Sequence, residues 1–157
     1  MTKLGASASS RIVLDTSAYS HFRANHAEVV DWIARAEVVY LPVTVLGELE
    51  AAFLCGTRTK ENQVALRDFL DEPFVAVLPI TLDVARVYGD LFATLRRAGT
   101  PIPINDVWIA ATCIDAGAHL VTFDEDFARI PRLAQTVCSV TSQNRSPSAH
   151  DRRSQYD

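Results

Sequence analysis

PINDVWIAATCIDAGAHLVTFDEDF, residues 103–127, carries a helix, a turn, a strand and an acidic cluster in one uninterrupted run. Asn105 is a natural N-cap, and Asp106 then falls in the first turn, where unpartnered N–H groups and the helix dipole favour a carboxylate. Ile109, Ala110, Cys113 and Ile114 recur at helical spacing, Gly117 suits the left-handed position that ends a helix, and residues 119–122 read as a short buried strand. Asp124 follows at once. Ligands of open α/β sheets bind just outside the carboxyl ends of the strands, which makes this aspartate a site candidate. Taken alone, Asn-Asp is explained by capping and Asp-Glu-Asp by a solvated turn. A cation site needs oxygens converging from separate segments, so the rest of the chain decides.

Upstream, residues 11–14 form an apolar, β-branched strand ending at Asp15, and Asp15-Thr16-Ser17 opens a helix through Tyr19 and Phe22. Asn25 or His26 opens a second helix with Val29, Val30, Ile33 and Ala34 on one face. Residues 38–41 are a second strand, broken by Pro42 before a helix over about 44–54 that stops at Gly56. Its apolar face is Val45, Leu46, Leu49, Ala52 and Phe53; Glu48 and Glu50 lie on opposite flanks of that face, and spacing does not choose between them. A helix over 59–70 turns Val64, Ala65 and Phe69 inward, and residues 74–78 are a third strand. Thr81 caps a long helix carrying Val84, Val87, Tyr88, Leu91, Phe92 and Leu95, which ends near Gly99. Arg96 and Arg97 suit the negative end of its dipole, with phosphate contact the less favoured reading. Residues 137–140 add a last strand.

Strands alternating with helices at this spacing predict an α/β fold: a parallel sheet of four to five strands flanked by helices, with right-handed crossovers. Asp15 and Asp124 then emerge at the same sheet edge, and the helix starting at Asp106 approaches them if their strands are neighbours.

At 157 residues and 48% hydrophobic content the chain reads as one domain, residues 11–141, between polar tails at 1–10 and 142–157 expected to be disordered. Cys55, Cys113 and Cys138 form no CxxC or CxxH pair and are expected to be buried thiols in a reducing compartment. No apolar run approaches the ~20 residues of a membrane span, and residues 1–11 lack the apolar core of a signal peptide, so a cytoplasmic protein is expected. A net charge of −4 does not mark a nucleic-acid binder, although bound metal and a local Arg patch let an acidic protein reach a phosphodiester.

Four strings, IVLDTSAY, VTVLGELEAA, PINDVWIAA and LVTFDEDF, together resemble the PIN-domain ribonucleases, and most of all the VapC-type toxins of toxin–antitoxin pairs. The resemblance spans nearly all of 11–141. Its acidic positions fall on Asp15, Glu48, Asp106 and Asp124, so it selects Glu48 over Glu50; Asp126 is a further acid in the same stretch. It implies a PIN-like sandwich and a metal-dependent endoribonuclease, with Thr16 or Ser17 holding a water on the ion. It also implies a cognate antitoxin partner. Mg²⁺ or Mn²⁺ suits such a set, being a hard cation that keeps several waters and takes few direct carboxylates. Asp15 and Asp106 are the expected direct ligands, with Glu48, Asp124 and Asp126 acting through water or a second ion about 3.5–4 Å away. Hydrolysis by in-line water leaves a 5′ phosphate and a 3′ hydroxyl and needs no histidine; His21, His26, His119 and His150 have no consistent place near the motifs.

Two rivals remain. A phosphoacceptor signalling domain needs paired acids after the first strand and a late lysine, yet Thr16 follows Asp15 and no lysine follows Lys60. A catalytically inactive PIN-like protein-binding module predicts no Mg²⁺-dependent cleavage. Helices at 27–36, 44–55 and 59–71 carry more apolar surface than one side of a small sheet needs, which points to a homodimer or an antitoxin-binding face.

Overall fold

The computed structural model describes residues 10–140; residues 1–9 of the expected N-terminal tail, position 141 and the expected tail at 142–157, with His150, lie outside them, whereas Ser10, expected in the tail, is described and its carbonyl accepts from the Glu37 and Val38 N–H groups. The chain runs through β1 (Arg11–Leu14), α1 (Thr16–Arg23), α2 (Ala27–Arg35), β2 (Val38–Pro42), α3 (Val43–Cys55), α4 (Thr59–Leu70), β3 (Val75–Leu78), α5 (Leu82–Arg97), α6 (Ile104–Asp115), β4 (His119–Thr122), a short 3₁₀ helix (Glu125–Arg129) and β5 (Gln135–Val137). All strand pairs are parallel, in the order β3-β2-β1-β4-β5. The central strands are covered on both faces: Ile12, Val13, Leu14, Leu120 and Val121 are each 0% exposed. That double burial is why they read as continuous apolar runs rather than as alternating ones. At the edge, β3 leaves Ala76 and Val77 exposed.

Successive pairs β1–β2–β3 grow to one side of β1, whereas β4 and β5 are laid down on its other side. The strand order therefore reverses between β1 and β4, and a crevice opens there at the carboxyl ends. Leu14 pairs with Val121, so Asp15 and Thr122 leave the sheet side by side.

Local chemistry accounts for several helix ends. Asp15 Oδ1 accepts from the Ala18 N–H at 2.8 Å and Thr81 Oγ1 from the Val84 N–H at 3.2 Å, each satisfying an orphan donor of a first turn. Gly117, at φ 61°, ends α6 as expected: its N–H bonds the Ile114 carbonyl and the Ala118 N–H bonds the Cys113 carbonyl.

Several expectations are corrected. Asn105 is not the cap of α6. The Pro103 carbonyl already accepts from Asp106 and Val107 at 3.0 and 3.2 Å, so the first turn begins earlier and Asn105 sits exposed inside it. Pro42 ends β2 instead of following it, and α3 begins at Val43. On α4 the buried pair is Leu66 and Phe69, three residues apart on one face, which turns Val64 out to 50% exposure. Phe69 closes an aromatic group with Tyr19 and Phe22, at centroid distances of 5.6 and 5.1 Å, joining α4 to α1. Phe92, one residue past Leu91, rotates off the buried face of α5 to 38% exposure. Cys55 is exposed rather than buried, because nothing covers the end of α3, where Leu54 is also 69% exposed. The last strand comes earlier than expected, at Gln135–Val137, since pairing with Leu120–Thr122 sets its register; Val140 lies beyond it, 66% exposed. Among the described residues no helix is long and apolar enough to cross a membrane.

Candidate acidic active site

Five acidic side chains from four segments meet at the β1/β4 crevice. Asp15, at the end of β1, is 4% exposed, and hydrogen bonds engage both its oxygens. Oδ1 accepts from Ser17 Oγ and the Ala18 N–H, each at 2.8 Å, while Oδ2 accepts from Thr122 Oγ1. The two hydroxyls also tie β4 to α1: Ser17 Oγ accepts from the Phe123 N–H and Thr122 Oγ1 from the Asp124 N–H, both at 3.0 Å. Asp124 Oδ1 in turn accepts from the Asp126 N–H at 2.9 Å, which starts the 3₁₀ helix and carries Asp126 toward the crevice.

Glu48 reaches the same place from α3, its Oε1 accepting from Thr16 Oγ1 at 3.0 Å. Glu50 turns to α4 and accepts from Gln63 Nε2 at 2.9 Å, so the two flanks of α3 that spacing left equivalent face different neighbours. Asp106 projects from the first turn of α6. Carboxylate oxygens of Asp106, Asp124 and Asp126, all half-buried, lie within 4.8 Å of one another.

Electrostatics register this crowding. The Asp106 carboxyl is pushed up to about 7, first by burial and then by repulsion from Asp124, Glu48, Asp15 and Asp126. Asp15 is also raised; burial outweighs the opposing hydrogen bonds from Thr122, Ala18 and Ser17, and Asp124 adds repulsion. The acids around Asp106 thus make it harder to ionise, a strain that a divalent cation would relieve. The donors are all hard oxygens, without a Cys or His nitrogen among them, and that set fits Mg²⁺ or Mn²⁺ better than Zn²⁺ or Cu²⁺.

Three elements of this site were not foreseen. Thr122 had a signal, as the polar last residue of the apolar strand HLVT, two positions before Asp124. The histidines had none, and the expectation that they stand apart is corrected for two of them. The His21 ring stacks on Phe123 at 3.8 Å and its Nδ1–H donates to the Ser17 carbonyl, while His26 meets Phe123 edge-on at 5.0 Å. Both back the turn that carries Asp124, a contact between distant parts of the chain. His119 instead stacks on Trp32 and bonds Thr136 Oγ1, away from the carboxylates. The third is Arg129, at the end of the 3₁₀ helix, whose NH1 lies 3.7 Å from Asp126 Oδ1 and donates to the Pro101 carbonyl at 3.0 Å.

Comparison with known proteins agrees with this geometry. The PIN domain family matches residues 12–133, a span that contains all five acids. Ribonuclease VapC5 of Mycobacterium tuberculosis is 29% identical over 122 residues, covering 78% of this chain and 89% of that protein. VapC ribonuclease Y4jK of Sinorhizobium fredii is 34% identical over 121 residues, 72% and 86% of the two chains. Among solved structures, VapBC2 of Rickettsia felis bound to a DNA fragment from its promoter superposes with a TM-score of 0.71 at 25% identity, over 80% of this chain and 97% of that one. On these matches, with its acids gathered at the strand-order reversal, the chain belongs to the PIN-domain family and is similar within it to the VapC-type ribonucleases.

Proposed function

We propose that this chain is a divalent-metal-dependent endoribonuclease, the toxin of a VapBC-type pair, that hydrolyses RNA phosphodiester bonds. The observation that carries this reading is the convergence of Asp15, Glu48, Asp106, Asp124 and Asp126, where burial first and repulsion among the acids second push Asp106 up to about 7. Asp106, Asp124 and Asp126, whose oxygens lie closest together, would hold the cation with Asp15, and Mg²⁺ or Mn²⁺ is the ion their chemistry suits. When bound, such an ion polarises phosphoryl oxygens and makes coordinated water more acidic.

The residues themselves have separable roles. Asp15 is immobilised by Ser17, Ala18 and Thr122, so its carboxyl is held at a set position at the base of the site. Thr16 Oγ1 fixes one oxygen of Glu48, and Glu48 would orient an attacking water through its other oxygen. Asp106 must surrender its proton for the site to reach full charge, so activity should rise through neutral pH. Attack by water at phosphorus leaves a 5′ phosphate and a 3′ hydroxyl.

The test is cleavage of total RNA with Mg²⁺ and with EDTA, comparing the native sequence with Asp15→Asn and Asp106→Asn. Equal cleavage by the three proteins, or cleavage indifferent to EDTA, refutes the reading. The structurally similar VapBC-5 of Mycobacterium tuberculosis is a member of a toxin–antitoxin family, which supports a cognate antitoxin here; the toxin itself is proposed as a cytoplasmic homodimer. Exposed Leu54 and Val64, on the adjacent helices α3 and α4, offer apolar surface for such a partner. Sedimentation as a monomer at high concentration, with and without the product of the adjacent gene, would remove that part.

A further inference from the structure

We propose that Arg129 is a phosphate-binding residue of this nuclease, holding the RNA backbone beside the scissile bond; this rests on the endoribonuclease reading above. Among the described residues, the salt bridge between Arg129 and Asp126 is the one that reaches the acidic cluster. A polyanion approaching five clustered carboxylates meets repulsion that one or two divalent ions offset only in part. Among the described residues Arg129 is the cation whose ion pair reaches the cluster, and it stands at the rim.

Its geometry suits the task better than a purely structural one. The guanidinium carries five N–H donors in a planar fork matched to phosphate oxygens. The 3.0 Å bond from NH1 to the Pro101 carbonyl is its one hydrogen bond among the described residues, and Asp126, at 3.7 Å, is too far for another. The side chain is 48% exposed, which leaves it accessible to a ligand in solvent. Pro101 lies two residues before the N-cap of α6, the helix that carries Asp106, whereas Arg129 ends the 3₁₀ helix that carries Asp126. Arg129 therefore bridges the two backbone segments that deliver the cation-binding oxygens, and its charge is held at a set distance from them. A loose ion pair that exposed contributes little stability, so the pair with Asp126 does not by itself account for this placement.

The experiment measures binding of a fluorescein-labelled single-stranded RNA 20-mer to the full chain carrying Asp15→Asn, in Mg²⁺, from 0.05 to 0.5 M salt. Each phosphate contact on a single strand adds about 0.7 to the slope of log K against log salt. Arg129→Gln should lower the slope by that amount and weaken binding about fivefold at 0.1 M salt. Arg129→Lys, which keeps the charge, should retain most of the slope. Arg35→Gln, at the opposite end of the sheet, should change neither. A second measurement needs no Arg129 variant: the same RNA should slow modification of Arg129 by phenylglyoxal, read by peptide mass spectrometry. An unchanged slope in Arg129→Gln, an equal loss in Arg35→Gln, or modification of Arg129 at the same rate with RNA bound would overturn the assignment. A protein that cleaves RNA in Mg²⁺ yet gives any of those results loses only this inference. One that neither binds nor cleaves RNA loses the nuclease reading as well.

Discussion

Replacing Asp106 with asparagine should make the metal-free protein more stable while abolishing its activity. The folded carboxyl keeps its proton to about pH 7, whereas the unfolded chain releases it near 3.8. Between those values the native state binds more protons, so stability falls as pH rises, and by pH 8 the loss is complete. At about 1.4 kcal/mol per pH unit the gap sets an upper bound near 4 kcal/mol. Asp106 is only half-buried, and solvent screening reduces the figure to about 1–2 kcal/mol. Asparagine has nearly the same shape and no charge, so Asp106→Asn recovers that energy. In EDTA at pH 8 its melting temperature should exceed that of the native sequence by about 3–6 °C. At pH 5.5, midway between the two values, only about half of the loss has accrued, so the gap should shrink to about half, and below pH 3.8 the two curves should coincide. In Mg²⁺ at pH 8 the order should reverse, because the ion stabilises only the protein that binds it, by about 2.7 kcal/mol at a hundredfold excess over Kd. Thermal melts at two pH values, with and without metal, provide the four corners. A variant no more stable than the native protein in EDTA at pH 8, or equally stabilised at pH 5.5, would refute the electrostatic account of the site.

Thr122→Val removes a hydrogen bond that favours ionised Asp15, so Asp15 rises further, the pH–rate profile moves to higher pH, and kcat falls by roughly ten- to a hundredfold, the worth of about 1.5–3 kcal/mol for a bond to a charged group. An unmoved profile would count against Asp15 as the deep acid of the site. Phe127→Ala empties a fully buried position under the acidic 3₁₀ helix and should cost about 3–5 kcal/mol in urea unfolding. On α4, Leu66→Ala should cost about 2–4 kcal/mol while Val64→Gln stays within about 0.5 kcal/mol, which checks which face of that helix is buried. Gly117→Ala meets no atom within 4 Å, so its expected loss of about 1 kcal/mol measures the left-handed backbone alone.

Periodicity along the chain determined that strands and helices alternate and that the sheet is parallel, because each crossover is long enough to hold a helix. It also placed Asp15 and Asp124 just past strand ends and Asp106 in a first helical turn, since caps and turns depend on a few adjacent residues. Selection of Glu48 came from family resemblance, and its geometric basis appears only in the fold, where Thr16 holds Glu48 and Gln63 holds Glu50. Boundaries were least legible where packing competes with propensity. Pro103 starts α6 ahead of Asn105, and pairing with β4 draws the last strand forward to Gln135. The Thr122–Asp15 bond, the stack of His21 on Phe123 and the bridge from Arg129 to Pro101 each join segments distant in the chain. Local pattern carries no trace of such contacts. They arise because reversal of strand order beside β1 brings its carboxyl end, the end of β4 and the start of α6 into one crevice, and only the folded chain has that crevice.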